Sequence, residues 1–259
     1  MKILAIDSSG LVASVAVIEN DTMLAEYTVN YKKTHSQTLL PMLDEVKKMI
    51  ELDLETIDAI ALAAGPGSFT GLRIGAATAK GLCLALNIPL IPVPTVDALA
   101  YNLAGDAALV CPLMNARRNQ TYTGIYRFEG NHMITLREQC VISLEEIIEE
   151  LNERGEDVVF LGDGLPVFKE QIEELCKISY RFAPAHMNAQ RAGAVAFLGK
   201  RLFEEGKAIS SDDFSPTYLR LSQAERERLE KEKKEEKKTG EAEEKAAKEN
   251  EKKVREKEQ

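Results

Sequence analysis

The sequence has few of the residues from which compact reactive sites are built. It contains no tryptophan, only three histidines and only four cysteines. Zinc knuckles and disulfide frameworks need closely spaced or paired ligands, but the cysteines lie far apart and form no Cys-x-x-Cys pair. No metal site is therefore expected. The cysteines are predicted to be reduced residues of the apolar core: Cys83, Cys111, Cys140 and Cys176.

Long hydrophobic runs and common catalytic motifs are also missing. No apolar run approaches the ~20 residues of a membrane span. The opening MKILAIDSS is a strand pattern with an acidic end rather than a cleavable signal. We therefore expect a cytoplasmic protein with no membrane association. Neither GxSxG nor HExxH occurs, so hydrolase chemistry has no support and no catalytic residue is assigned.

Charge is divided unevenly along the chain. From Ser222 to the end, 13 basic residues balance 13 glutamates, so the net charge of −9 falls on the preceding body. Tight unaided binding to nucleic acid needs basic groups that neutralise phosphates. An acidic body therefore predicts contact with RNA only through a partner.

The order of predicted elements repeats itself. Three β-rich segments, a helix, a buried strand and a second helix occupy residues 1–100, and the same order returns over 101–221. Two βββαβα halves predict an α/β fold of duplicated architecture with a cleft between the halves. Residues 222–259 have too few apolar side chains for a core. They are predicted to form a solvated, helical or disordered extension without activity.

The central sequence feature is a glycine-rich stretch, GPGSFTGLRIG, from Gly65 to Gly75. It lacks the spacing of GxxxxGK[ST] and of GxGxxG, which favours a structural strand-to-helix turn over a phosphate cradle. Small residues then recur every fourth position at Gly71, Gly75, Ala79 and Cys83, and so share one helix face. Glycine costs a helix about 1 kcal/mol relative to alanine. The row therefore predicts the close approach of another backbone, interpreted as a partner's helix.

The preceding helix, from about Ser36 to Leu52, has an unusually wide apolar face that includes two adaptable methionines. A sheet covers only one stripe of a helix, so the remaining apolar residues predict contact with a second surface. The predicted partner interface on the two helices comprises Leu39, Met42, Leu43, Val46, Met49, Gly71, Leu72, Gly75, Ala79 and Cys83.

Three polar turns are further candidates. Asp7-Ser8-Ser9 and Gly162-Asp163-Gly164 follow strands, where an acidic and a hydroxyl or glycine residue could hold a nucleotide phosphate and its metal. Short polar residues at turns are also common for local reasons, which is the favoured interpretation. Arg117 and Arg118 could bind RNA or a partner carboxylate, or could form a charged hairpin turn.

Several stretches together resemble the TsaB (YeaZ) family, which takes part in bacterial tRNA threonylcarbamoyladenosine synthesis. They are ILAIDSS, THSQTLLP, GPGSFTGLRIGAATAKGL, NARR and SPTYLR, and they span about 220 residues. One departure is Asn115, where the family usually has aspartate. The resemblance implies an actin-like, Hsp70-like duplicated fold, in agreement with the repeat.

The resemblance also implies a role. TsaB-like proteins are similar to the catalytic TsaD subunit but lack its histidine metal motif, and they pair with it through their first two helices. We therefore expect a non-catalytic, obligatory subunit with a TsaD-like partner, a TsaE-like ATPase as third member, and tRNA reached through the complex. No cofactor is expected in this chain, while ATP and a metal ion are expected on the partners. Alone, the chain is expected to homodimerise through its exposed apolar patch. The alternative is a small-molecule kinase or ATPase of the actin-like fold.

Overall fold

The computed structural model describes residues 1–220, of which Met1–Leu219 form one compact unit. The charged segment 222–259 lies outside the described residues, so its predicted character stays a prediction. All structural statements below refer to the described part of the chain.

The first sheet has five strands in the order β3-β2-β1-β4-β5. The first three form an antiparallel meander, and β4 and β5 run parallel to β1. Because β1, β2 and β4 are buried on both faces, they carry almost continuous apolar side chains. The strands are β1 Lys2–Asp7, β2 Ala13–Glu19, β3 Thr22–Val29, β4 Ala59–Ala63 and β5 Leu90–Val93.

The second sheet repeats the first in strand order, β8-β7-β6-β9-β10, and in strand direction. The predicted duplication of an α/β unit is therefore confirmed. Its last strand is only three residues long, too short to leave a periodic signal, and the sequence did not predict it. The strands are β6 Leu109–Asn115, β7 Gln120–Glu129, β8 His132–Ser143, β9 Val158–Leu161 and β10 Tyr180–Phe182.

Six α-helices accompany the two sheets. Ser143 begins one of them with a capping box, in which its side chain accepts from Glu146 N and the Glu146 side chain accepts from Ser143 N. The third helix was not predicted, because its seven residues fall where the boundary between the halves was placed. The helices are α1 His35–Met49, α2 Phe69–Leu86, α3 Thr95–Tyr101, α4 Leu144–Arg154, α5 Leu165–Leu175 and α6 Ala192–Glu204.

The last helix of each repeat packs against the sheet of the other repeat. Helices α1 and α2 cover one face of the first sheet, and α6 covers its opposite face. In the same way α4 and α5 cover one face of the second sheet, and α3 covers the other. This exchange joins the repeats within one compact unit. It also brings the carboxyl end of β1 close to the segments that link the two halves.

Candidate functional site

The row of small residues on α2 faces the interior of the chain. Ala79 is fully buried and Cys83 is 1% exposed. A Cβ atom at Gly71 would lie 2.1 Å from the Ser8 carbonyl oxygen, and one at Gly75 would lie 2.4 Å from the Ser8 Oγ. The close approach of another backbone to this row was correctly predicted. Its interpretation as the helix of a partner protein was wrong. The approaching backbone belongs to the chain's own β1–β2 turn, and Leu72 is buried with the row.

The glycine-rich loop is fixed to that same turn. Ser68 caps α2 by accepting a hydrogen bond from Gly71 N, and its own N–H donates to Ser9 O at 2.6 Å. The Ser8 hydroxyl donates to Gly71 O at 2.9 Å. GPGSF is therefore a structural strand-to-helix turn, which is the interpretation that the sequence favoured.

The segment that matches SPTYLR closes the other side of this loop. Gly65 has a φ of 112°, and the space where its Cβ would lie is filled by Thr217 O. Thr217 N donates to Ala64 O at 2.7 Å. The rings of Tyr218 and Phe69 pack with their centroids 5.0 Å apart. Two stretches 150 residues apart in sequence thus form one structural unit at the start of α2.

Helix α1 contributes fewer surface residues than predicted. Leu39, Met42 and Val46 are buried in the core against the first sheet, so they are not available to a partner. Leu43 is partly buried against the same cluster. Met49 is 74% exposed, but it lies in the groove between α1 and β3 rather than on the side of α1 that meets α2.

Apart from the partly buried Leu43, the residues that face outward from these helices are not the predicted ones. Leu40 is 58% exposed on α1, and Leu84 is 76% exposed on α2. Ala77 and Gly81 are exposed on the same side of α2 as Leu84, and no atom of residues 1–220 lies within 4 Å of a Cβ built at Gly81. Gly81 could have indicated this face from the sequence, because it is a glycine within a helix and lies outside the row of small residues. We define the α1/α2 face by its members, Leu40, Leu43, Ile74, Ala77, Gly81 and Leu84.

Asp7, at the end of β1, is buried and hydrogen-bonded locally. Its Oδ1 accepts from Ser9 N at 2.9 Å and from Ser9 Oγ at 2.6 Å. Burial raises the pKa of Asp7 to about 6, although the bonds from Ser9 and the charge of His35 act in the opposite direction. The nearby like charge of Asp163 adds to the increase, which places the two carboxylates in one region.

The turn after β9 is also packed against backbone. A Cβ at Gly162 would lie 2.2 Å from Leu113 O, and Gly164 N donates to the same oxygen. Asp163 Oδ1 accepts from the N–H of Asn115, and burial raises the pKa of Asp163. The structure therefore explains both glycines as sites of close approach.

Several polar groups of these turns are already hydrogen-bonded within the chain. An anion cradle needs free N–H groups that converge on one point. Here Gly65 N donates to Thr95 Oγ1, Ser68 N to Ser9 O and Gly162 N to Asn188. The Ser8 hydroxyl already donates to Gly71 O, and the Ser9 hydroxyl donates to Asp7 Oδ1. The geometry supplies no observation that favours the kinase alternative.

His35 links α1 to the β1–β2 turn. Its Nε2 lies 2.9 Å from Gly10 O, and it does not cap the helix. The Gln190 amide packs against Gly10 from the other repeat. His35 Nδ1 and both polar atoms of the Gln190 amide are buried without a hydrogen-bond partner.

Arg117 and Arg118 form the turn between β6 and β7. Together with Asn119 they have φ values between 55° and 62°, and all three side chains are exposed. The charged hairpin turn is therefore what the structure shows. Contact of this turn with RNA or with a partner stays a prediction.

Residues 1–220 contain neither a cluster of metal ligands nor a membrane-spanning helix. No group of three or more His, Cys, Asp or Glu side chains in that range could hold a metal ion. No helix there is long and apolar enough to cross a membrane. All four cysteines are free; Cys83 and Cys111 are buried as predicted, while Cys140 and Cys176 are half-buried.

Comparison with known proteins identifies related sequences over most of the chain. The family model for TsaD, tRNA N6-adenosine threonylcarbamoyltransferase, matches residues 22–228. The tRNA threonylcarbamoyladenosine biosynthesis protein TsaB of Bacillus subtilis is 34% identical, covering 89% of this chain and 99% of that protein. TsaB of Escherichia coli is 28% identical, with 85% and 95% covered. YeaZ from Pseudomonas aeruginosa superposes with a TM-score of 0.73 at 25% identity, covering 84% of this chain and 99% of that chain.

Two sheets of equal strand order, with a helix exchanged between the repeats, define a duplicated α/β protein of the actin-like and Hsp70-like class. The turns that could hold a phosphate in this class are here packed against the chain's own backbone. With the relatives described above, the chain belongs to the TsaB (YeaZ) family.

Proposed function

We propose that this chain works in tRNA threonylcarbamoyladenosine synthesis as a non-catalytic, obligatory subunit that binds a TsaD-like catalytic subunit through its α1/α2 face. The observation that carries the proposal is the exposure of Leu84 and Gly81 on α2: within residues 1–220, Leu84 is 76% exposed and no atom lies within 4 Å of a Cβ built at Gly81. A helix glycine without an internal contact lowers stability with no internal gain. A second helix that packs there would explain its presence.

The electrostatics of the face support a helical partner. From Thr70 to Leu84, the exposed positions of α2 are uncharged except for Arg73 at the margin, and the half-buried Lys80 beside them donates to Asp212 O. An uncharged surface of small and apolar residues suits close helix packing, whereas it offers nothing to a phosphate backbone. The acidic body of the chain supports contact with tRNA only through the complex.

The β1–β2 turn supports the non-catalytic part of the proposal. Asp7 is 1% exposed, and its accepting oxygen is already bonded to Ser9. A general acid or base must come within hydrogen-bond distance of the reacting group. The enclosed side chain of Asp7 does not reach a substrate in this way. We therefore place the group transfer, the ATP and the metal ion on the TsaD-like and TsaE-like partners, and the work in the cytoplasm.

A reconstituted reaction tests the proposal. The chain is combined with the TsaD-family subunit and the ATPase of its own genome, with threonylcarbamoyl-adenylate and unmodified tRNA, and the modified nucleoside is quantified by mass spectrometry. We expect modification only when the chain is present, and none from the chain alone. Equal modification without the chain would refute the obligatory role, and ATP turnover by the isolated chain would favour the kinase alternative.

A further inference from the structure

Arg73, near the start of α2, is exposed but anchored on two sides. Its guanidinium carbon lies 3.9 Å from the centroid of the Phe69 ring, so the flat group stacks on the aromatic face. Its Nε donates to the Tyr218 hydroxyl at 3.3 Å, and the rings of Tyr218 and Phe69 are themselves in contact. An unrestrained arginine loses rotamer entropy when it binds. The anchoring removes part of that cost before a ligand arrives.

The guanidinium retains donors that nothing in the described chain uses. Tyr218 takes only the N–H on Nε. Within residues 1–220, no acceptor bonds to Nη1 or Nη2 of Arg73 and no carboxylate pairs with it. These two nitrogens form the end-on fork of an arginine, whose parallel N–H groups match the two oxygens of a carboxylate.

A missing carboxylate is unusual for an arginine in this acidic body. Neither α2 nor the segment Ser215–Arg220 contains an acidic residue, so the two segments that hold Arg73 cannot supply one. Five other arginines of the described chain each pair with a carboxylate: Arg127, Arg137, Arg154, Arg181 and Arg191. The fork of Arg73 is therefore fixed in position and complementary to an acid that residues 1–220 do not provide.

The position of Arg73 on α2 connects it to the α1/α2 face. Residues four apart lie above one another on a helix, so Arg73, Ala77 and Gly81 form one row, which Leu84 continues. Ala77, Gly81 and Leu84 are all exposed. A partner helix that packs along this row has one of its ends beside Arg73.

We infer that Arg73 is the carboxylate-binding residue of the α1/α2 face: its Nη1 and Nη2 bind an aspartate or glutamate side chain of the TsaD-like subunit and so fix the register of the packed helices. This inference rests on the proposed function and adds the chemistry of the contact. A protein carboxylate fits better than the backbone of an RNA, because RNA binding needs several basic groups together. The exposed neighbours of Arg73 on this face are uncharged.

Calorimetry with the full-length chain and the TsaD-family subunit of its genome tests the contact. We expect Arg73→Gln to weaken binding about tenfold. Arg73→Lys should weaken it nearly as much, because an ammonium group keeps the charge but lacks the fork and the flat stacking surface. The control Lys177→Gln removes one positive charge at an exposed position of the second repeat and should have no effect. Unchanged binding by Arg73→Gln, or equal losses in Arg73→Gln and Lys177→Gln, would overturn the inference.

Zero-length cross-linking identifies the occupant. A carbodiimide joins a lysine amine to a carboxylate in direct contact, and mass spectrometry compares the links in complexes of Arg73→Lys and of the unmodified chain. We expect one additional link, from position 73 to an aspartate or glutamate of the TsaD-family subunit. No additional link, or a link to a glutamate of this chain's own residues 222–259, would overturn the inference.

Two further outcomes separate this inference from its alternatives. If Arg73→Gln weakened only the binding of tRNA to the assembled complex, the occupant would be a phosphate and the inference would fail. Weaker binding by Leu84→Glu together with unchanged binding by Arg73→Gln would also overturn it, yet would leave the proposed function standing. The two can therefore fail separately.

Discussion

Gly71 lies directly against Ser8, because the Ser8 carbonyl oxygen occupies the space where a side chain at position 71 would begin, and the Ser8 hydroxyl donates to the Gly71 carbonyl at 2.9 Å. One contact thus joins the end of β1 to the first turn of α2. It accounts for the glycine without any ligand. The same helix contains Gly81, for which no such contact exists.

The two glycines should respond in opposite ways to the same substitution. Gly71→Ala forces a Cβ to 2.1 Å from a backbone oxygen that cannot rotate away, and we expect a loss of roughly 2 kcal/mol or more in the free energy of unfolding. Gly81→Ala meets open space and should gain about 1 kcal/mol through helix propensity. Urea unfolding of both variants checks this. Equal effects would contradict the assignment of the inward face.

The raised pKa of Asp7 should make the free energy of unfolding depend on pH. Its pKa is about 6 in the folded chain against 3.8 for the free side chain, so the folded state binds the proton more tightly. Protonation therefore favours folding. The cost of the buried charge is absent below pH 3.8, increases between 3.8 and 6, and is complete above 6, at about 3 kcal/mol.

Asp7→Asn isolates this effect, because the amide oxygen can still accept the two hydrogen bonds from Ser9. We expect the variant to be more stable than the unmodified chain at pH 7.5 and nearly equal to it at pH 3.5, below the pKa of the free side chain. Thermal unfolding of both proteins across this range measures the difference. A difference that does not vary with pH would contradict an elevated pKa for Asp7.

A buried hydrogen bond between repeats should contribute measurably to stability. The Tyr126 hydroxyl on β7 donates to Asp97 Oδ1 on α3 at 2.6 Å, and burial raises the pKa of Asp97. Tyr126→Phe leaves that carboxylate without its donor, so we expect a loss of about 1–3 kcal/mol. Tyr101→Phe is the control, because its hydroxyl bonds to Asn131 O at an exposed position. If the two variants lose equal stability, Tyr126 does not link the repeats.

The architecture was largely predictable because each repeat carries long periodic elements. Strands β6 to β9 and helix α4 follow the predicted order of elements, and the capping pair Ser143 and Glu146 marks a helix start by local chemistry alone. Strand β10 and helix α3 were missed because three and seven residues are too few to show a period. Local periodicity does not indicate which sheet a helix covers. The packing of α3 and α6 on the sheet of the other repeat is therefore known only from the structure.

The sequence predicted an interface on α1 and α2, but most of the residues that it named are buried in the structure. A row of small residues indicates a close approach, yet the pattern does not reveal whether the neighbour is the chain's own turn or another protein. Gly71 and Gly75 contact Ser8, whereas Leu40 and Leu84 resemble core leucines in sequence but are exposed. Only the three-dimensional arrangement separates the two faces of α2.

The most direct test of the central claim measures binding between this chain and the TsaD-family subunit from the same genome. Calorimetry compares Leu84→Glu on α2 with Val167→Glu on α5, an equally placed helix of the second repeat whose Val167 is 57% exposed. We predict that Leu84→Glu weakens binding at least about a hundredfold, because it buries an unpaired charge, and that Val167→Glu has no effect. Unchanged binding by a folded Leu84→Glu variant would contradict the account.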